Sequence, residues 1–170
     1  MTATHITIDS PIGELTLVAK GGVLSGIYFP GHWHMPAPEV FGARAERGFE
    51  QAQRQLGEYF AGDRTEFELP TTIAGEEFQR RVWELIDRIP YGRTTTYGEM
   101  AQELGDPALA REVGAAVGRN PLSIVVPCHR VVGKDGRLTG YAGGLERKRF
   151  LLELEGAGER VEAEQLQLAG

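Results

Sequence analysis

The one cysteine of the chain lies in IVVPCHRVVG, residues 124–133, with Pro127 before it and His129 directly after it. A thiol attacks as thiolate, and an imidazole is the side chain best suited to take its proton near neutral pH. Cys128 and His129 therefore offer nucleophilic chemistry, subject to geometry. Neighbours on a regular strand point to opposite faces, so the pair cooperates only where the chain leaves strand geometry at Pro127, or where a water bridges the two. A histidine base also needs an orienting acid, and spacing alone does not say which carboxylate folds back. The competing reading is a buried structural thiol, which is inert.

The elements that must position the thiol are best marked just upstream of it. In TTTYGEMAQELGDPALAREVGAAVGRNP, residues 94–121, Thr96 and Glu99 have the spacing of a capping box, and Tyr97, Met100, Ala101 and Leu104 form a buried face. Gly105 suits the left-handed end of that helix, Asp106 caps the next, and Pro107 fits its first position. The spacing predicts a helix-turn-helix. Its second helix buries Leu109, Val113, Ala116 and Val117 and turns Ala108, Arg111, Glu112, Ala115, Gly118 and Arg119 outward or sideways. Gly114 and Gly118 each cost about 1 kcal/mol against alanine, which close approach of a DNA groove or of a neighbouring helix would offset. Helix pairs of this kind also occur in proteins that never touch DNA.

Before this pair, Phe78, Val82, Leu85, Ile86 and Ile89 predict a further helix that starts after Glu76 and Glu77 and stops at Pro90. The first third reads as β-rich: HITIDSPIGELTLVAKGGVLSGIYF is broken by turn residues at 10–13 and at Gly21-Gly22. A proline-rich loop carrying His32, Trp33 and His34 follows, then a helix through Phe49, Leu56, Tyr59 and Phe60 ended by Gly62, and then RTEFELP as one more strand. His32 and His34 have no third metal ligand suggested nearby.

With 170 residues and a net charge of −6, the chain is sized for one domain or two small ones sharing a core. The acidity is uneven. Residues 1–75 carry 5 basic and 9 acidic side chains, whereas Arg93 to Phe150 carries 9 basic and 6 acidic ones, including Arg111, Arg119, Arg130, Lys134, Arg137, Arg147, Lys148 and Arg149. This local excess surrounds the thiol and suits a polyanion, although an evenly mixed surface shows similar excesses by chance. A lone cysteine implies a reducing compartment, so the expected location is cytoplasmic. The N-terminus has no signal-like pattern and no run is apolar enough to span a membrane.

Taken together, NPLSIVVPCHRVVG, the following LTGYAGGLERKRFLLELEG and the preceding IPYGRTTTYGEMA and AREVGAAVGRNP resemble the O6-alkylguanine-DNA alkyltransferases, the methylated-DNA–protein-cysteine methyltransferases. The similarity runs from about Phe78 to Gly156, and IDSPIGELTLVA resembles the N-terminal domain of the same proteins. The resemblance implies that Cys128 accepts the alkyl group from O6 of guanine, that His129 takes the thiol proton through a water, and that Glu155 orients His129. It also implies that Asn120 braces the active-site turn, that Tyr97 hydrogen-bonds N3 of the departing guanine, that Arg111 fills the space of a flipped nucleotide, and that Tyr141 lines the pocket and its lid. Ala142 stands where many relatives have serine, so contact there would come from the backbone. No cofactor and no metal is implied, and the acceptor cysteine, replaced in non-catalytic alkyltransferase-like proteins, is retained.

The expected fold class is α/β, or α+β by stricter labels. A ribonuclease-H-like domain with an antiparallel sheet and a helix spans 1–73, a mostly helical DNA-binding and alkyl-acceptor domain spans 74–158, and a tail covers 159–170. The expected partner is double-stranded DNA containing O6-alkylguanine, bound through the minor groove by a monomer, with no membrane, and with O4-alkylthymine repair and cooperative clustering left open. Two other functions fit the residues: a lesion-recognition protein that makes no thioether, and a cysteine hydrolase using Cys128, His129 and Glu155.

Overall fold

The computed structural model describes residues 2–157; the expected tail at 159–170 and the last residue of the second domain lie outside the described residues. Three antiparallel strands open the chain: β1 (Ala3–Ile8), β2 (Leu15–Lys20) and β3 (Val23–Tyr28). Their turns fall where the glycines stand, with Gly13, Gly21 and Gly22 all at positive φ. A two-residue strand, β4 (Ala43–Arg44), pairs parallel with β1, giving the order β3-β2-β1-β4. Helix α1 (Glu50–Phe60) covers the sheet with Ala52, Gln55, Leu56 and Tyr59 buried, and Gly62 follows its end at φ 82°.

RTEFELP is not a strand. Gln55 of α1 accepts from the Glu68 amide at 2.9 Å and donates to the Glu68 carbonyl at 3.1 Å, so a side-chain amide takes the place of a ladder partner. Just after this segment the chain touches the sheet through an isolated bridge between Leu24 and Thr71.

The second half is helical. Helix α2 (Glu77–Asp87) starts after Glu76, whose backbone amide donates to the Gln79 side-chain oxygen at 3.0 Å. A short strand, β5 (Thr95–Thr96), leads into α3 (Tyr97–Glu103), capped as expected: the Glu99 amide donates to Thr96 Oγ1 at 3.1 Å. Gly105 takes φ 102°, the Ala108 amide donates to Asp106 at 2.9 Å, and a single 3₁₀ turn over Pro107–Leu109 runs into α4 (Ala110–Gly118). Val113, Ala116 and Val117 are buried as expected, while Leu109 is only half-buried. Trp83 of α2 donates its indole N–H to the Ala116 carbonyl at 2.9 Å and locks α4 to α2. Strand β6 (Val131–Val132) pairs parallel with β5, and α5 (Leu145–Leu154) closes the described chain.

One apolar core runs through both halves, from Leu15, Leu17, Leu56 and Tyr59 to Val82, Ile86, Met100, Val113, Val131 and Leu151, and it includes Cys128. Polar bonds reinforce the junction. The Ile27 amide at the edge of the sheet donates to the Pro121 carbonyl at 2.8 Å, and Arg147 of α5 reaches back to the Ile12 carbonyl at 2.8 Å. The sheet therefore buttresses the segment that carries the thiol.

Candidate active site

Between α4 and the thiol the chain makes no strand. Asn120, buried at the end of α4, accepts from the Leu122 amide at 2.9 Å and donates to the Val126 carbonyl at 2.8 Å, tying a loop of tight turns together at both ends. Inside the loop Ile124 adopts φ 75°, a region where a β-branched side chain is strained and which the surrounding packing must enforce. Pro127 then directs the chain into a 3₁₀ turn over Cys128–Arg130. In a 3₁₀ turn successive side chains diverge by about 120° rather than pointing to opposite faces. The chain thus leaves strand geometry at Pro127, as cooperation of a Cys-His pair requires.

The three side chains of that turn go to three jobs. His129, fully buried, has its Nε2 at 2.7 Å from Glu155 Oε2, at the end of α5. Arg130 grips the same carboxylate with two bonds, Nε to Oε1 at 2.8 Å and NH2 to Oε2 at 3.0 Å, and sends NH1 to the Ile89 carbonyl at 2.6 Å. Tyr59 donates its hydroxyl to Glu155 Oε2 at 2.5 Å. Burial would raise the Glu155 carboxyl, but the His129 and Arg130 hydrogen bonds and charges outweigh it and hold it down at about 2. Burial, with the Arg130 and Lys148 cations, pushes the His129 imidazole down against the opposing pull of Glu155. A neutral imidazole facing an ionised carboxylate carries its proton on Nε2, which leaves the Nδ1 lone pair free to take one.

Both shifts have the same consequence for stability. Glu155 and His129 are each deprotonated more easily in the fold than in the unfolded chain, so each contributes stability that is complete above its unfolded value and lost as pH falls. The expected outcome is a melting temperature that declines as pH drops below about 6.5, where unfolded histidine titrates, and again below about 4.5, where unfolded glutamate does. Calorimetry across that range checks it; a melting temperature flat from neutral pH to pH 3 would contradict the assignment.

Cys128 is 2% exposed. Burial pushes its thiol up, while Asn120, Lys148 and Tyr141 draw it down. The resting group is thus a thiol that needs a base at the moment of attack, and not a standing thiolate. Tyr97 of α3 and Tyr141 flank it, and burial raises both phenols, with the thiol adding to the effect. Among the described residues, the buried side-chain atoms without a hydrogen-bond partner are Ser123 Oγ, His129 Nδ1 and Tyr141 Oη. Tyr141 lies near the thiol and Ser123 near Tyr141, while His129 is the thiol's neighbour in the chain. Buried polar atoms are rarely left unpaired without a functional reason.

A family model for the 6-O-methylguanine DNA methyltransferase DNA binding domain matches residues 77–157, and one for the ribonuclease-like domain of the same proteins matches residues 4–73. A methylated-DNA–protein-cysteine methyltransferase of Mycolicibacterium paratuberculosis is 50% identical over 149 residues, covering 88% of this chain and 90% of its own length. The chain belongs to the methylated-DNA–protein-cysteine methyltransferase family. Another such methyltransferase, from Methanosarcina acetivorans, is 45% identical over 90% of this chain and 98% of its own. Among solved structures, Mycobacterium tuberculosis OGT in complex with DNA aligns with a TM-score of 0.85 at 46% identity, over 95% of this chain and 98% of that one.

In this methyltransferase the basic excess around the thiol is not a uniform surface charge. Arg130 is committed to Glu155, and Lys148, fully buried on α5, donates to the carbonyls of Val131 at 2.6 Å, Thr139 at 2.9 Å and Gly140 at 3.2 Å. Burial brings the Lys148 ammonium down to about 8, with the nearby thiol opposing the shift. Arg147 is spent on the carbonyls of Ile12, Pro30 and Gly143 and on the ring face of Phe29. Arg111 and Arg119 of α4, with Lys134 and Arg137, are exposed. Beside Arg111 the outward face of α4 is small: a Cβ on Gly118 would meet nothing within 4 Å, whereas one on Gly114 would approach the Tyr97 ring at 3.8 Å.

The segment 139–144 is held by Lys148 on one side and by the first half of the chain on the other. A Cβ on Gly143 would run into the Phe29 ring, so glycine lets this segment pack close against it. The Trp33 amide donates to the Ala142 carbonyl at 2.9 Å. His32, in the same loop, is buried, takes the Phe29 amide on Nδ1 at 3.4 Å and stacks on the Phe29 ring, while burial lowers its imidazole to about 4. The loop thus packs against segment 139–144.

Proposed function

We propose that this chain reverses alkylation damage in DNA by moving the alkyl group from O6-alkylguanine, flipped out of the duplex, to its own Cys128, once per molecule and irreversibly. The reading is carried by one arrangement: a buried thiol beside a histidine whose Nε2 is fixed on Glu155 at 2.7 Å and whose Nδ1 is unpartnered. Cys128 Sγ attacks the alkyl carbon in line with the C–O6 bond. As the S–C bond forms, the C–O6 pair returns to the purine, and the thiol proton, taken up by His129 through a water, ends on the guanine. Tyr97 donates toward N3 of the guanine as charge develops there, which offsets a poor leaving group. Asn120 holds the turn, Tyr141 and the backbone at Ala142 line the pocket, and the thioether product has no easy route back. No cofactor enters this balance.

Extrusion is a physical requirement, since an O6-alkyl group in a stacked pair cannot be reached in line. Arg111 of α4 enters the stack from the minor groove, which the small surface at Ala115 and Gly118 allows α4 to approach closely. The protein acts as a monomer in the cytoplasm. Arg111→Ala is expected to slow transfer from duplex DNA about ten- to hundredfold while leaving the rate with free O6-benzylguanine within about twofold, because only the duplex needs a base extruded. Parallel rate measurements on the two substrates check this, and equal losses on both would assign Arg111 to the pocket or the fold. The overall reading is tested by stoichiometry: with excess methylated duplex, isotopic methyl on the protein should saturate at one group per chain, matched by an equal loss of lesion. Repeated turnover would mark a different enzyme.

A further inference from the structure

We propose that Tyr59, on α1 in the first half of the chain, is a positioning residue of the alkyl-transfer site: its hydroxyl fixes the carboxylate that orients His129. The ribonuclease-like half thereby sets the protonation of the base. The inference rests on the reading of Cys128, His129 and Glu155 given above.

Tyr59 is fully buried, its ring set among Phe60, Phe67 and Tyr91. Glu155 Oε2 accepts from Tyr59 at 2.5 Å, from His129 at 2.7 Å and from Arg130 at 3.0 Å, while Oε1 takes the remaining Arg130 bond at 2.8 Å. Tyr59 and His129 therefore share one oxygen. A hydrogen bond to an ionised carboxylate is short and strong, and each further donor on that oxygen draws off charge that would otherwise stabilise an imidazolium. Tyr59 thus keeps His129 a weaker base at rest and holds the carboxylate in the plane that fixes the Nε2–H tautomer. Burial and the Glu155 charge both hold the Tyr59 phenol far above its ordinary range, so it donates at every accessible pH.

The other groups facing this system are Arg130, Tyr91 beside Glu155 and Arg130, Asp87 beside Arg130, and Lys148, Cys128 and Tyr141 on the thiol side. Tyr59 differs from the charged members in that its hydroxyl can be deleted without changing net charge. Tyr91 provides the matched control, since its hydroxyl donates to the Leu154 carbonyl at 3.2 Å.

The experiment is the pH dependence of Cys128 alkylation by free O6-benzylguanine, followed by intact mass, in the parent chain, Tyr59→Phe and Tyr91→Phe. In Tyr59→Phe the midpoint of the acid limb should rise by about one pH unit, while Tyr91→Phe keeps the parental midpoint. An unmoved midpoint in Tyr59→Phe, or an equal shift in both variants, overturns the proposal. A parent chain that takes no benzyl group on Cys128 overturns the transfer reading itself, which is a separate result. Proton NMR of the parent chain is independent of how the variants fold: a slowly exchanging hydroxyl proton far downfield, with contacts to the Tyr59 ring, is expected, and its absence overturns the proposal.

Discussion

Cys128→Ala is expected to abolish alkyl transfer, a loss of at least about ten-thousandfold, while binding to lesion-bearing duplex stays within a few-fold of the parent. The reasoning is local. The substitution removes Sγ from a site where it is 2% exposed and leaves the braces at Asn120, the carboxylate relay and the outward face of α4 in place. The cavity left by one sulfur costs about 1–2 kcal/mol, too little to unfold a domain of ordinary stability. Electrophoretic binding and single-turnover transfer measured on the same preparation separate the two properties. Transfer that persists in the variant would remove Cys128 from the mechanism.

Glu155→Gln should fail in a different way, losing both stability and rate. The carboxylate is the anion that both Arg130 and His129 bond, and the Arg130 side chain is only 8% exposed. Neutralising it leaves a buried guanidinium without its counter-charge, at a cost of about 3–5 kcal/mol. It also frees His129 to adopt either tautomer, and in a comparable relay the wrong tautomer costs about 10⁴ in rate. The two losses can be separated. Adding Arg130→Met to Glu155→Gln should restore much of the melting temperature, because the orphaned charge is gone, but none of the transfer rate. A double variant that regained transfer would show that Glu155 serves only to neutralise Arg130.

How much of this the residues announce depends on how local each interaction is. The helix pair was legible to the residue because caps act over three positions: Thr96 with Glu99, and Gly105-Asp106-Pro107 across the turn. Cys128 and His129 were legible as neighbours, but their relative direction depended on the 3₁₀ turn that Pro127 starts. Glu155 came from family likeness, since nothing in the spacing of carboxylates says that the end of α5 returns to residue 129.

Arg130 and Lys148 were counted with the surface charge, although a signal for Lys148 was present. Lys148, Leu151, Leu152 and Glu155 follow the i, i+3, i+4, i+7 pattern of one helix face, and all four are buried. A lysine and a glutamate on an apolar face ask for internal partners, and both have them. Tyr59 was placed on the buried side of α1 by periodicity, but the partner of its hydroxyl, 96 residues away, is a property of the assembled fold. RTEFELP is not a strand for a reason that its own residues do not show: the Gln55 side chain, 13 residues before Glu68, takes up the backbone groups of Glu68.

In the proposed reaction one alkyl group moves from guanine to one sulfur. Its most direct test is the mass of the intact chain after mixing with a duplex containing a single O6-methylguanine, followed by peptide mapping. The chain is expected to gain one methyl group, mapped to Cys128, and the duplex then to carry unmodified guanine. A chain of unchanged mass, or a methyl group on any other residue while the guanine is restored, would contradict it.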